Sequence, residues 1–127
     1  MKKTVMVVDD EEDIRTTLKS VLQGNGFKVI TAVNGDDCLV KLKKTKRKKP
    51  DLILMDIMMP GTPVKEVVAQ IKDIKIAYCS VVRMSEAEKE ELLKSKNIVG
   101  FIQKPFNIEE LVSKVKELTL ESRPAKT

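Results

Sequence analysis

The sequence predicts an α/β protein in which five parallel strands alternate with five helices. Short apolar runs rich in β-branched residues recur along the chain, and each is followed by a segment whose apolar residues repeat at helical spacing. Repeated strand-helix-strand units imply right-handed crossovers and a parallel sheet between two helix layers. The length of 127 residues fits one domain.

The first two units show this alternation most simply. An apolar strand at residues 4–8 ends in the acidic residues 9–13, and helical periodicity then continues to a Gly-Asn-Gly terminator at 24–26. A second strand at residues 28–32 leads to a helix that begins at the Asn-Gly-Asp-Asp of 34–37. Both units therefore have the form of a strand, a turn and a helix.

The third strand, residues 51–55, is almost wholly apolar, as expected for a strand that helices cover on both faces. It ends at Asp56. Thr62 is the predicted N-cap and Pro63 the predicted first residue of a helix that continues through Ile71.

The last two units carry the clearest helix starts. A fourth strand covers residues 75–80 and extends at most to Val82, and residues 85–88 have the form of a capping box for the next helix. A fifth strand covers residues 99–102, and a second capping box at 107–110 begins the last helix.

Composition excludes several classes of protein. No apolar stretch approaches the roughly 20 residues of a membrane span, and the N-terminus lacks a signal-peptide core, so we expect a cytoplasmic protein without a membrane partner. Cys38 and Cys79 are far apart and the chain contains no histidine, which disfavours a zinc site. Both cysteines are interpreted as small buried apolar residues.

Basic charge is concentrated in one segment. Seven of the 24 basic residues lie between Lys41 and Lys49, so the other 17 are outnumbered by the 19 acidic residues. The segment is interpreted as a solvated helix end, where lysines complement the helix dipole, or as a surface for an acidic or nucleic-acid partner. Three Phe and one Tyr offer few stacking platforms, which disfavours nucleic acid.

Polar residues stand at or just past the ends of several predicted strands. Ligands of open parallel sheets bind beyond the carboxyl ends of the strands, so these residues are expected to share one crevice. The set consists of Asp9, Asp10, Asp56, Ser80 and Lys104. Each has a plainer interpretation alone, as a helix cap, a turn residue or a solvated side chain, but their coincidence at the strand ends favours a site.

The chemistry of this set indicates a metal-assisted phosphoryl acceptor. Adjacent carboxylates repel one another unless a cation neutralises them, and Mg²⁺ prefers such oxygen ligands. Asp56 stands alone at its strand end and is the candidate nucleophile for an aspartyl-phosphate, whereas Asp9 and Asp10 are placed to hold the ion. Lys104 would add positive charge beside the phosphate, and Ser80 could donate a hydrogen bond.

Three motifs resemble the receiver domain of two-component response regulators. They are Val-Val-Asp-Asp at 7–10, Leu-Met-Asp-Ile-Met-Met-Pro-Gly at 54–61 and Lys-Pro-Phe at 104–106, and the resemblance spans about residues 4–119. It implies a flavodoxin-like, CheY-like three-layer sandwich with strand order 2-1-3-4-5. Residues 1–120 would form the receiver domain, and residues 121–127 a tail or linker stub.

The resemblance also implies roles for individual residues. Asp56 would be the phosphoacceptor and a Mg²⁺ ligand, Asp10 a direct ligand, Asp9 a ligand mainly through water, and the backbone carbonyl of Met58 a further ligand. Lys104 would sense the phosphate.

Three further positions follow from the same resemblance. The bond before Pro105 would be cis, and Phe101 would be the aromatic residue that swings inward on phosphorylation. The switch hydroxyl is assigned to Ser80, although Val81 follows it where relatives carry a small residue. Ser85 is the alternative.

The implied function is that of a signalling switch. A sensor histidine kinase or phosphotransfer protein would donate the phosphoryl group. The face formed by the fourth helix, fifth strand and fifth helix would then change for a downstream target or effector domain, with dimers possible on activation. Catalysis would be limited to self-catalysed phosphoryl transfer and dephosphorylation, so the chain is not expected to be an enzyme.

Two other classes share parts of this pattern. A Mg²⁺-dependent phosphohydrolase with an aspartate nucleophile would carry a second carboxylate two residues on, where this chain has Met58. A flavodoxin-type electron carrier would need a phosphate-binding loop after the first strand, where this chain has five acidic residues.

Overall fold

Strands and helices alternate along the whole of the computed structural model, which describes residues 2–45, 48–80 and 85–120. The strands within these ranges are β1 (Thr4–Val8), β2 (Lys28–Ala32), β3 (Leu52–Asp56), β4 (Ile76–Ser80) and β5 (Ile98–Gln103). The helices within them are α1 (Glu12–Gly24), α2 (Gly35–Lys44), α3 (Val64–Ala69), α4 (Glu86–Leu93) and α5 (Ile108–Leu118).

The sheet is parallel throughout, with strand order β2-β1-β3-β4-β5. Strand order reverses at β1, which lies between β2 and β3, so the crevice expected of an open α/β sheet lies at the carboxyl ends of β1 and β3. The predicted α/β class and the flavodoxin-like order are confirmed.

Two apolar layers cover the sheet, one on each face. Side chains of a strand alternate between faces, so neighbouring residues of β1 enter different layers. Val5 and Val7 pack in one layer with residues of α1 and α5, whereas Met6 and Val8 pack in the other with residues of α2 and α3. This double burial explains why β1 and β3 are continuous apolar runs.

Several predicted boundaries move by one residue. β3 begins at Leu52 rather than Asp51, whose carboxylate instead accepts a hydrogen bond from the Thr4 amide at 2.8 Å. At its other end β3 extends one residue beyond the prediction, so that Asp56 is the last residue of the strand itself. β4 begins at Ile76, and the extension to Val82 lies outside the described residues.

The prediction for the start of α3 is wrong. Pro63 has an extended ψ of 140° and precedes the helix, which covers Val64–Ala69 and ends before Ile71. Pro63 and not Thr62 occupies the N-cap position of α3, and the Thr62 hydroxyl donates to the Asp36 carboxylate at the start of α2, at 2.8 Å. A tertiary partner therefore replaces the local cap.

The starts of α4 and α5, which were predicted from capping residues, are found in place. Ser85 Oγ accepts from the Glu88 amide at 3.1 Å, and Glu88 Oε1 accepts from the Ser85 amide at 2.8 Å, which confirms this capping box. Asn107 Oδ1 accepts from the Glu110 amide at the start of α5. Hydrogen bonds between residues three apart in the sequence therefore set these two helix starts.

Neither cysteine forms a disulfide, and both are buried, as expected for small apolar residues. Cys38 Sγ lies 3.6 Å from Met6 Sδ in the layer beneath α2. Among the described residues no helix has the length and the apolar character needed to cross a bilayer.

Candidate functional site

Three carboxylates meet at the carboxyl edge of the sheet. Asp9 and Asp10 follow β1, Asp56 ends β3, and these two strands are direct neighbours. One carboxylate oxygen from each residue lies within 4.8 Å of the others. The structure thus brings the adjacent acids Asp9 and Asp10 together with Asp56, which lies 46 residues after Asp10 in the sequence.

The three carboxylates differ in exposure. Asp9 and Asp56 are buried, with 2% and 6% of their surfaces exposed, whereas Asp10 faces solvent. Asp9 Oδ1 accepts from the Glu11 amide at 2.9 Å, and Asp56 Oδ1 accepts from the Met58 amide at 3.0 Å. Backbone amides therefore orient both buried carboxylates, and each keeps its second oxygen for other partners.

Lys104 brings a positive charge into this cluster from the end of β5. Its Nζ lies 2.7 Å from Asp9 Oδ2 and 3.6 Å from Asp56 Oδ2, and the lysine is itself buried. The Lys104 amide donates to the Ser80 carbonyl at 2.8 Å, and the bond to Pro105 is cis. The backbone at the end of β4 thus anchors the lysine whose side chain reaches the end of β1.

Burial raises the pKa of Asp56 above its usual value. The Met58 amide lowers this pKa, the Asp9 charge raises it and the Lys104 charge lowers it, but the net direction is upward. For Lys104 burial acts in the opposite direction and lowers the pKa. The hydrogen bond to Asp9 and the nearby carboxylate charges outweigh this effect, so the pKa of Lys104 is raised overall. The lysine is therefore a firmly charged group in the pocket.

The donor set fits a small hard cation. Three ionised carboxylates and one ammonium leave an excess of negative charge, and all candidate ligand atoms are oxygens. Mg²⁺ binds through few carboxylates and keeps several waters, which the exposed side of Asp10 allows. The contribution of the Met58 carbonyl stays a prediction, because the structure shows only that its amide bonds to Asp56.

Ser80 lies at the same edge of the sheet. It ends β4, is buried, and follows Cys79, the partner of Asp56 in the β3–β4 register. Ser85 is occupied by its capping box at the start of α4. Ser80 therefore ends the strand that neighbours Asp56, whereas the Ser85 hydroxyl caps α4.

Phe101 lies on the side of β5 that faces the α4 layer. It is half-buried and packs against the same apolar layer as Leu92 of α4. Its ring stacks at a tilt on Tyr78, with centroids 5.9 Å apart. The Phe101 ring therefore contacts Tyr78, and no pattern in the sequence indicates this contact.

Arg15 is a neighbour of the site that sequence reasoning missed. Its Nη1 donates to the backbone carbonyl of Asp9 at 2.8 Å from the first turns of α1. No periodicity or motif marks this residue, since the contact depends on how α1 packs over the end of β1. The only available signal was an arginine within one helical turn of an acidic run.

The fold and the site together define a flavodoxin-like α/β domain with an acidic, lysine-bridged pocket where the strand order reverses. The Response regulator receiver domain family matches residues 5–116. The chain belongs to this family, and the resemblance inferred from its motifs is confirmed.

Curated relatives support this assignment. The chain is 36% identical over 129 residues to the alkaline phosphatase synthesis transcriptional regulatory protein PhoP of Bacillus subtilis, covering 98% of this chain and 52% of PhoP. It is 37% identical over 116 residues to protein PilG of Pseudomonas aeruginosa, covering 88% of this chain and 84% of PilG. The chain thus spans only about half of PhoP but most of PilG.

A solved structure gives the same result. The response regulator protein TrrA of Thermotoga maritima, in complex with Mg(2+)-BeF, is 38% identical, with a TM-score of 0.72. The match covers 91% of this chain and 98% of TrrA.

Proposed function

We propose that this chain accepts a phosphoryl group on Asp56 from a phosphohistidine of a sensor kinase or phosphotransfer protein. One observation carries the proposal, namely that the Asp56 carboxylate shares a buried pocket with Asp9, Asp10 and the Lys104 ammonium. A receiver domain needs a nucleophile, a cation site and a fixed positive charge at one point, and this pocket combines them.

The transfer itself is a displacement at phosphorus. An Asp56 carboxylate oxygen attacks the phosphorus, an oxygen–phosphorus bond forms, and the nitrogen–phosphorus bond to the donor histidine breaks, with its electron pair returning to that nitrogen. The Met58 amide fixes the orientation of the carboxylate at 3.0 Å. Lys104 Nζ, 3.6 Å from Asp56 Oδ2, is placed to stabilise charge on the incoming oxygens.

Asp9, Asp10 and Asp56 would hold Mg²⁺, with the Met58 carbonyl as the further predicted ligand. When bound, the ion neutralises charge on the transferring oxygens. The oxygen-only ligand set supports this, as does the Mg(2+)-BeF complex of TrrA. Asp9 also holds Lys104 in place, so its carboxylate would serve both cations.

Signalling would follow from the new charge. Phosphorylation adds about two negative charges, and Lys104 would then exchange part of its contact with Asp9 for the phosphoryl oxygens. The Ser80 hydroxyl would donate a hydrogen bond to them, and Phe101, whose ring now contacts Tyr78, would swing inward. The surface of α4, β5 and α5 would change for a downstream protein, an effector domain or a second copy.

The extent and setting of the module belong to this proposal. Residues 1–120 form the receiver domain, with 121–127, outside the described residues, as a tail or linker stub. The reaction takes place in the cytoplasm. Met58, whose side chain is 59% exposed, offers no proton to a leaving group, so steady hydrolysis of phosphoesters is not expected.

Labelling with radioactive acetyl phosphate tests the proposal. The wild-type protein should take up an alkali-labile acyl phosphate with Mg²⁺ and lose this ability with EDTA. Asp56→Asn should take up none, whereas the control Asp73→Asn, which changes an exposed aspartate far from the pocket, should match the wild type. Wild-type labelling of Asp56→Asn, or labelling that mass spectrometry maps to another residue, would overturn the assignment.

A further inference from the structure

A groove lies along the open edge of the sheet and has a volume of about 710 Å³. This volume is within the range of ligand sites in proteins. β2 is the outer strand and pairs with β1 on one side. The groove, called here the β2–α2 groove, lies between the first residues of β2 and the C-terminal end of α2. It is therefore at the amino end of the strands, opposite the acidic pocket.

The rim of the β2–α2 groove is cationic. Lys28 comes from β2, whereas Lys43, Lys44 and Lys48 come from the end of α2 and the segment after it, and all four lysines are exposed. Salt bridges within the described ranges use other lysines, so no described carboxylate pairs with these four. Positive charge thus accumulates around the groove without a salt-bridge partner among the described residues.

Two apolar residues of β2 line the groove, and of these Ile30 packs against the layer that contains residues of α2, whereas Val29 packs against the opposite layer. Val29 and Ile30 are only half-buried, although both belong to a strand of the sheet. The methylene stems of the surrounding lysines extend this apolar surface while their ammonium groups stay in water. A matching ligand would carry both apolar and anionic groups.

We propose that the β2–α2 groove docks an acidic segment of a partner protein, with apolar side chains against Ile30 and carboxylates on the lysine rim. Charge complementarity supports this occupant, since four unpaired lysines would steer and hold an acidic chain. Nucleic acid fits less well, because none of the lining residues is aromatic and no base could stack there.

Docking in this groove would be independent of phosphorylation. The five-residue strands separate the groove from the acidic pocket by roughly 13 Å along the sheet. A partner could therefore stay bound while Asp56 is modified, as a tether rather than as a reader of the phosphorylated state. The proposal does not rest on the function assigned to Asp56.

Fluorescence anisotropy with a labelled peptide, in which leucines interrupt a run of glutamates, tests the docking site on the full chain. Lys43→Glu combined with Lys44→Glu should weaken binding about tenfold or more at low salt. The matched control, Lys65→Glu with Lys72→Glu, makes the same change in net charge at exposed positions of α3 and beyond. It should weaken binding less than about threefold. A peptide with glutamine in place of glutamate should bind about as weakly as the groove variant.

Amide shifts of the labelled wild-type protein supply a second readout that needs no variant. The acidic peptide should move the resonances of Val29 and Ile30 and leave those of Asp9 and Asp10 in place. Equal weakening in both double variants, or no shift at Val29 and Ile30, would overturn the proposal. Tighter groove-dependent binding of a single-stranded oligonucleotide or of phosphatidylserine vesicles would also overturn it, as would self-association that the groove variant abolishes.

Discussion

The Lys104 ammonium lies 2.7 Å from the Asp9 carboxylate, and these side chains are only 8% and 3% exposed. This buried pair joins the residue after β5 to the residue after β1, across the ends of β4 and β3. It places a fixed positive charge inside a pocket that three carboxylates would otherwise make strongly negative. The first two predictions concern the competition between the Lys104 ammonium and the proposed Mg²⁺ ion for these carboxylates.

Replacing Lys104 by methionine should destabilise the metal-free protein by about 3–5 kcal/mol, because a buried carboxylate loses its partner. The same change should tighten Mg²⁺ binding about tenfold, because a positive charge no longer competes with the ion. Urea unfolding and calorimetric titration measure the two effects. Lys94→Met, at the exposed residue that follows α4, should change neither. Weaker Mg²⁺ binding in Lys104→Met would contradict this account of the pocket.

Mg²⁺ should stabilise the folded chain, since the carboxylates come together only on folding. At a concentration one hundred times the Kd, the gain in the free energy of unfolding is expected to be about 2.7 kcal/mol. Asp10→Asn should lose most of this gain, whereas Asp13→Asn, an exposed acid in the first turn of α1, should keep it. Thermal unfolding with and without Mg²⁺ measures both, and an equal gain in the two variants would argue against the site.

Substitutions of the two candidate switch serines are expected to have different effects on stability and on the response to phosphorylation. Ser85→Ala removes a helix cap and should cost about 1 kcal/mol of stability without changing the response to phosphorylation. Ser80→Ala should leave phosphoryl uptake intact and reduce the beryllofluoride-induced shifts of α4 and β5. Amide spectra of the two variants provide the measurement. The reverse pattern would make Ser85 the switch hydroxyl.

Gly35 is required by close packing between α2 and α3. A Cβ at this position would lie 2.5 Å from Cγ2 of Val67, whose side chain is fully buried and stiff. Gly35→Ala should therefore reduce the free energy of unfolding by about 1–3 kcal/mol. In the background of Val67→Ala the same change should cost clearly less, as a double-mutant cycle in urea would show. Additive costs would mean that the clash is not the cause.

Stability should fall at alkaline pH. Burial raises the pKa of the Cys38 thiol from 9.0 to about 12 and that of the Tyr78 hydroxyl from 10.0 to about 12. Above pH 9.0 the unfolded chain releases the Cys38 proton while the folded chain keeps it. The free energy of unfolding should therefore fall by about 1.4 kcal/mol per pH unit for each such group.

The alkaline prediction is checked by urea unfolding at several pH values between the ordinary pKa of a thiol and that of a tyrosine. Cys38→Ala should have a shallower slope in this window than the wild type, whatever its absolute stability. Identical slopes would show that the Cys38 thiol does not contribute. Below this window both proteins should show little dependence on thiol ionisation.

Local patterns account for most of the secondary structure that was predicted. Short apolar runs and helical periodicity act over a few neighbouring residues, so the strands and helices of the described ranges and the Ser85 capping box could be predicted from the sequence alone. The failure at Thr62 has the opposite cause. Its hydroxyl bonds to Asp36, 26 residues away, and no local rule could anticipate that partner.

The sequence by itself determined which residues stand at the strand ends, and the motifs added the family and its strand order. Only the tertiary structure decided that Lys104 pairs with Asp9 more closely than with Asp56, and that Arg15 reaches the Asp9 carbonyl. It also brought Lys28 beside the lysines of α2. The physical reason is range, because propensity and periodicity act between neighbours, whereas these contacts depend on how distant segments pack.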